Sequence, residues 1–400
     1  MKGMNTKFAR RMDTVRPSTI REILKVTEQP EIISFAGGLP APELFPVDDV
    51  LCATGRVLRE GGAAALQYGP SEGFSPLRER FAADSRQRGI DCTAEDILIT
   101  TGSQQSLDLA GKIFLNPGDC VLTENPTYLA AIQTFQTCEA RFAAVPTDAE
   151  GLIPEALPAL IEREKPRFLY TIPNFQNPTG VTLTAQRRQT LYSIAAHYGL
   201  IVLEDDPYGC LRYAGTSVAP IKALDTEGIV IYLSTISKTI APGLRVGWLV
   251  ASEPIRRKLT IVKQAADLHT SSLDQRIVYR YLTDFDNDAH IRQIRKSYGE
   301  RHAIMDATLT KSMPAGFSWT KPEGGMFLWV TCPEGVDTNE LMREALARKV
   351  LFVPGQDFFS NDPGQRYMRL NFSNASAEQI RVGIKRLAEV CAAALQCAIA

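Results

Sequence analysis

Four stretches of the chain place reactive or anion-binding residue types directly after short apolar runs. In STISKTIAPGLRVG, Lys238 is surrounded by hydroxyl side chains, and Arg245 follows seven residues later. A lone lysine is ordinarily a solvated surface charge. Between two apolar runs and among hydroxyls, it also suits an amine that forms a Schiff base beside a bound phosphate. In LIVLEDDPY, Asp205 closes an apolar run and Tyr208 comes three residues on. A carboxylate there is costly unless paired, and a helix N-cap is the plainer reading. In RFLYTIPNFQNPTG, Asn-Pro-Thr-Gly is a turn signature, yet Asn174 and Asn177 both lie just beyond the run. In DILITTGSQQSLDL, Gly102 separates a run from a periodic helix. Such a junction aims free N–H groups and the positive helix end at an anion, with Ser103 and Gln104 as extra donors. Ser103 as a simple N-cap explains the same residues.

Taken together, the four stretches hold an amine, a carboxylate, neutral hydrogen-bond donors and an anion cradle. Pyridoxal 5′-phosphate requires that set: an amine for its aldehyde, a carboxylate for its ring nitrogen, donors for its phenolate and a seat for its phosphate. Each signal alone is ambiguous. Their joint position after strand-like runs is what makes the set specific.

The elements that must position these residues are seven apolar runs: 96–100, 120–124, 141–145, 167–172, 200–204, 229–233 and 245–250. Their β-branched composition without polar alternation predicts strands buried on both faces. Interleaved with helical stretches, they predict an α/β fold with a mostly parallel seven-stranded sheet. Ligands bind such sheets beyond the carboxyl ends of the strands, where the four stretches lie. From about residue 285 a charged helical stretch (288–312) leads to FSWT, GGMFLWV, VLFVP and YMRLNF, a smaller α/β unit. The expected division is an N-terminal arm or lid over 1–45 packing with the small unit, a large domain over 46–285, and a small domain over 286–400.

Bulk properties narrow the function. A chain of 400 residues exceeds what a single core ordinarily fills. A formal net charge of −1 argues against nucleic acid or a membrane surface as partner, and no apolar run reaches spanning length. The basic N-terminus lacks the apolar segment of a secretory signal, and Asp13 counts against a mitochondrial presequence. The eight cysteines are scattered without C-x-x-C spacing, and the four histidines are dispersed. That pattern predicts reduced thiols, no metal site and a cytoplasmic location.

The chain resembles the fold-type I, class I/II aminotransferases, especially the 2-aminoadipate and kynurenine branch. The likeness covers nearly all of it: SFAGGLPAPELFP, QYGPSEGFSPLRE, TTGSQQSLDL, ENPTYLAAIQTF, PNFQNPTG, EDDPY, SKTIAPGLRVG, KPEGGMFLW and YMRLNFS. The resemblance implies that Lys238 carries the Schiff base, Asp205 pairs with the ring nitrogen, and Tyr208 and Asn177 bond the phenolate. It further implies that Tyr128 stacks on the ring, that Ser103, Gln104, Thr235, Ser237 and Arg245 hold the phosphate, and that Arg369 and Gly38 take the substrate carboxylate. Tyr68 resembles the residue that reaches a neighbouring subunit's phosphate, implying a homodimer with shared sites. Arg21, in the N-terminal segment, is expected either to pair with a distal substrate carboxylate or to be an exposed helix charge.

Three other readings compete. Gly69-Pro-Ser-Glu-Gly73 formally matches a nucleophile elbow, but the preceding GGAAALQ is a poor strand. A regulator with an aminotransferase-like domain needs a DNA-binding domain, and 33 residues before SFAGG leave no room for one there. A lyase or decarboxylase of the same fold would use the same cofactor residues.

Overall fold

The computed structural model of the chain describes residues 7–13, 15, 31–361 and 364–399. Each of the seven apolar runs forms one strand of a single sheet: β1 Ile97–Thr100, β2 Cys120–Glu124, β3 Arg141–Val145, β4 Phe168–Thr171, β5 Ile201–Asp205, β6 Val230–Thr235 and β7 Gly247–Val250. The order is β1-β7-β6-β5-β4-β2-β3. Strands β1, β2, β4 and β6 are buried along their whole length, as runs without polar alternation require. Only β3, at one edge, alternates buried with partly exposed positions, and it opens on the exposed Arg141 that discourages edge pairing.

Helices flank the sheet. They are α1 Val47–Leu66, α2 Ser75–Gln87, α3 Ser103–Phe114, α4 Leu129–Gln136, α5 Leu157–Glu164, α6 Ala185–Tyr198, α7 Glu253–Asp267 and α8 Ser272–Asp284. Their boundaries follow local chemistry. The Thr184 hydroxyl accepts from Arg187 N to start α6, and Gly199 ends it in the left-handed region. The Gly69–Gly73 stretch lies between α1 and α2, so a helix rather than a strand precedes it and no nucleophile elbow forms.

One strand decides the layout of the sheet edge. β7 runs antiparallel to both β1 and β6, while β2 through β6 pair in parallel. Six strands therefore end at the same edge, and β7 begins there. Residues after β1, β4, β5 and β6 meet the residue just before β7, which brings Arg245 to the others.

The second sheet joins β8 Ser318–Trp319, β9 Phe327–Thr331, β10 Val353–Pro354 and β11 Tyr367–Asn371 in the antiparallel order β8-β9-β11-β10. Around it lie α9 Asn287–Ser312, α10 Thr338–Ala347 and α11 Ala377–Ile399. VLFVP, expected as one strand, is split. Val350–Leu351 pairs in parallel with Ile33–Ser34, and Val353–Pro354 forms an edge of the small sheet. Pro354 has no N–H to extend the ladder, which suits an edge and ends the strand.

The two sheets are tied at Phe175. This residue adopts φ +49°, and the Arg212 guanidinium lies 4.7 Å from its ring centroid. Gly324 and Gly325 press against it from KPEGGMFLW: a β-carbon at Gly325 would stand 2.5 Å from Phe175 Cβ, at φ +72°. Tyr213 N and Ala214 N both donate to Glu323 O beside this contact. The paired glycines therefore serve close packing. Gly325→Ala is expected to lower unfolding stability by about 1–3 kcal/mol through overpacking and backbone strain. Denaturant melts of the two proteins check this, and an unchanged midpoint would contradict the close-contact account.

Candidate active site

Twelve residues singled out in the sequence line one cavity of about 790 Å³ at the common strand edge. They are Gly38, Ser103, Gln104, Tyr128, Asn177, Asp205, Tyr208, Thr235, Ser237, Lys238, Arg245 and Arg369. Tyr68 is not among them; it is 76% exposed, with its ring edge-on to His269. Arg21 lies outside the described residues.

Asp205 is the last residue of β5 and is almost fully buried. Its Oδ2 accepts from Tyr170 at 2.9 Å, and its Oδ1 has no hydrogen-bond partner among the described residues. Burial raises its pKa to about 7; the Tyr170 bond opposes that and the charge of Asp206 adds to it. Asp206 behaves in the opposite way. Burial favours its neutral form, but Arg88 and Asn174 outweigh burial and hold its pKa below the ordinary value. The carboxylate also accepts from Gly209 N at 2.9 Å and from the Tyr232 hydroxyl at 3.0 Å. Of two adjacent buried carboxylates, one is locked into the protein and the other leaves an oxygen bare.

Lys238 follows β6 at the end of a short 3-10 turn. Its Nζ donates to Gly38 O at 2.9 Å. Burial lowers its pKa to about 8, with help from the positive charges of Arg369 and Arg245. Arg369, on β11, is 1% exposed. It donates through Nη1 to Asn177 Oδ1 and through Nη2 to Ala36 O, both at 2.7 Å, while Nε has no partner. Its guanidinium lies 4.2 Å from the Phe327 ring centroid, and burial lowers its pKa to about 10. The Asn177 amide bonds the Tyr208 hydroxyl, whose pKa burial drives well above the ordinary value.

At the other end of the cavity, Gly102 opens α3 and carries no side chain to cap it. Arg245 Nη2 donates to Thr101 O at 3.2 Å, and the Thr235 hydroxyl bonds Ser237 Oγ at 2.9 Å. Gly247 has to be glycine: a β-carbon there would lie 2.8 Å from Ser103 N. Gln104 turns its amide to Thr134 Oγ1 at 2.6 Å. The open N–H groups, two hydroxyls and a guanidinium form a seat for an anion.

The family model for class I and II aminotransferases matches residues 33–387. The chain belongs to that family. It is 48% identical over 388 residues to aromatic-amino-acid aminotransferase 1 of Thermococcus litoralis, spanning 96% of this chain and 93% of the relative. Among solved structures it is similar to the α-aminoadipate aminotransferase LysN from Thermus thermophilus, complexed with N-(5′-phosphopyridoxyl)-L-leucine. That likeness has a TM-score of 0.91, 41% identity and 98% coverage of both chains. The Pyrococcus horikoshii kynurenine aminotransferase, in complex with PMP, gives a TM-score of 0.92 and 44% identity, over 96% of this chain and 97% of that one. The enzyme is thus an aminotransferase, and its cofactor is pyridoxal 5′-phosphate.

The residues present fit that cofactor. The bare Oδ1 of Asp205 is an acceptor awaiting a cationic N–H, and the anion seat and Arg369 line the same cavity. Among the described residues no group of three or more His, Cys, Asp or Glu side chains is placed to hold a metal ion, and no helix is long and apolar enough to cross a membrane.

Sequence reasoning missed part of the lining. Leu129, Ala130, Gln133, Thr134 and Thr137 all face the cavity, and their helical spacing after Tyr128 is a signal that points to them. Tyr170 carried no such signal, since it sits inside an apolar run like any core tyrosine.

Asp205 binds its proton more tightly in the folded chain than in the unfolded one. The stability linked to it is therefore full below pH 3.8 and is lost as pH rises through about 7. Asp205→Asn removes that cost. The cofactor-free variant is expected to be more stable than the cofactor-free parent by about 1–2 kcal/mol at pH 8, the gap narrowing as pH falls toward 4. Thermal melts across pH check this; a variant less stable at every pH would show that the carboxylate is not strained.

Proposed function

We propose that this aminotransferase exchanges an amino group between an L-amino acid and a 2-oxo acid such as 2-oxoglutarate. The donors we assign are 2-aminoadipate or glutamate, aromatic and branched-chain amino acids. The observation that carries the residue roles is that Asp205, whose buried Oδ1 has no partner among the described residues, lines the same cavity as Lys238 and Arg369. The apolar Leu39 and Leu129 and the polar Gln133 and Thr137 in that cavity support a broad donor range.

When bound, the cofactor supplies the electron sink that stabilises negative charge at the substrate α-carbon. Asp205 Oδ1 keeps the ring nitrogen protonated, and Tyr170 holds the carboxylate at the angle that leaves this oxygen free. Tyr208 and Asn177 hydrogen-bond the ring oxygen, and Tyr128 covers the ring face. Ser103, Gln104, Thr235, Ser237 and Arg245 hold the phosphate. Arg369 offers its unused N–H groups, Nε–H among them, to the substrate carboxylate, with Gly38 at its side. Lys238 Nζ, as a free amine, takes the proton from the substrate α-carbon and returns it on the other side of the exchange. A pKa of about 8 leaves about a tenth of such amines neutral at pH 7, against about one in 3,000 for an unperturbed lysine.

In this reading residues 46–285 carry the cofactor groups and residues 286–400 bring the carboxylate clamp. Val47, Leu51 and Leu58 are exposed apolar residues on one face of α1, and Leu66, beyond the helix break at Gly62, leads to Tyr68. These residues support a homodimer in which Tyr68 reaches the partner's phosphate. Light scattering is expected to return twice the 44.1 kDa chain mass, and a monomer at micromolar concentration would refute the shared site. The seven described cysteines are free thiols, which supports a reducing, cytoplasmic setting.

The direct test adds L-glutamate, L-2-aminoadipate, L-phenylalanine or L-leucine, without any oxo acid, to the purified holoenzyme. Loss of the visible cofactor band to the shorter-wavelength amine form, with release of one oxo acid per site, is expected for each accepted donor. Carbon dioxide release or side-chain elimination in place of an oxo acid would turn the assignment to lyase or decarboxylase chemistry.

A further inference from the structure

Behind the Thr101–Ser103 turn lies an ion pair between a buried lysine and a carboxylate that keeps some solvent exposure, and neither member lines the cavity. Lys263, on α7, is 0% exposed, and its ammonium spends its protons on three partners. They are Gln105 Oε1 at 2.7 Å, the Asp267 carboxylate at 2.9 and 3.0 Å, and Thr270 Oγ1 at 3.1 Å. A fully buried lysine is costly, and methionine would fill the same helix position without desolvation. Packing α7 against α3 does not call for this charge.

Its partners show what the charge holds. Asp267 Oδ2 also accepts from Thr101 Oγ1 at 3.0 Å and from Gln105 Nε2 at 2.7 Å. Gln105 Oε1, besides taking the Lys263 proton, accepts from Thr101 N at 2.8 Å. The Thr101 carbonyl in turn accepts from Arg245 at 3.2 Å. All three polar groups of residue 101 are therefore tied down, immediately before Gly102 and Ser103. The first N–H groups of α3 beyond them have no capping side chain.

We infer that Lys263 and Asp267 are positioning residues for the cofactor phosphate, fixing Thr101 and Gln105 so that the N–H groups opening α3 converge on one anion. The pair carries no net charge, and its bonds to Thr101 and Gln105 act on the shape of the turn. This rests on the assignment of the Gly102–Ser103 turn to the phosphate.

The test compares two ligands on the full chain after its cofactor has been removed. Absorbance titration measures the affinity for pyridoxal 5′-phosphate and for pyridoxal, which has the same ring and aldehyde but no phosphate. Lys263→Met is expected to weaken pyridoxal 5′-phosphate by about 10- to 100-fold, the loss of the hydrogen bonds of one charged group, while pyridoxal keeps its parental affinity. Thr101→Val leaves the ion pair whole and removes only the hydroxyl's bonds to Asp267 and Thr270, so it should shift the same ratio in the same direction by less. It also decides the matter if Lys263→Met does not fold. Equal weakening of both ligands, or no change in the ratio for either variant, overturns the inference and leaves the pair a helix-packing device. Arg245→Ala separates the two levels of the claim. A parental phosphate preference in that variant overturns the turn assignment itself; a lost preference with Lys263→Met unchanged overturns only the role of the ion pair.

Discussion

A carboxylate sealed at the end of a central strand, with one oxygen bonded and the other bare, is an expensive thing for a protein to keep. Asp205 is kept in that state by groups that do nothing else for the cavity. Tyr170 takes one oxygen, and Asp206 next door is neutralised by Arg88 and bonded by Asn174 and Gly209, so it cannot relieve its neighbour. Strand β5 cannot shift without moving both carboxylates, and the loop carrying Tyr208 is pinned through Gly209. The empty acceptor is thus a property of the whole sheet centre. Binding a cationic ring returns the stability that folding gave up there.

The same logic of support from behind extends to the other groups. Asn177 is fixed because its loop is clamped at Phe175 by the glycine pair of the small sheet and because Arg369 holds its side-chain oxygen. That places the carboxylate clamp and the ring-oxygen donor on one hydrogen bond, although they belong to different sheets. Movement of one sheet against the other must therefore change both together. Lys238, by contrast, donates to a backbone carbonyl, Gly38 O, and is the group that has to move.

Much of this was legible in the sequence because strands buried on both faces leave unbroken apolar runs, and such sheets put ligands at their ends. Asp205, Lys238, Asn177 and Ser103 were readable as polar residues immediately past those runs. Their joint position gave the cofactor, and motifs such as EDDPY and SKTIAPGLRVG gave the family. What stayed hidden was whatever looks like core. Tyr170 is one apolar-run residue among six, and Lys263 sits in an amphipathic helix where a surface charge is the ordinary expectation. The reversal of β7 was also hidden, since strand direction leaves no mark in composition. The break in VLFVP was marked only by Pro354, whose missing N–H reads as an edge once the neighbouring strands are known.

That reversed strand also sets a timetable for synthesis. β1 pairs with no strand but β7, and the contact Thr100 to Gly247 joins positions 147 residues apart. Translation at roughly 5–20 residues per second separates their emergence by about 7–30 seconds. During that interval β2 through β6 can assemble among themselves, while β1 waits without its strand partner. The sheet edge that carries the anion seat is consequently closed only when its last strand, just after Arg245, has left the ribosome.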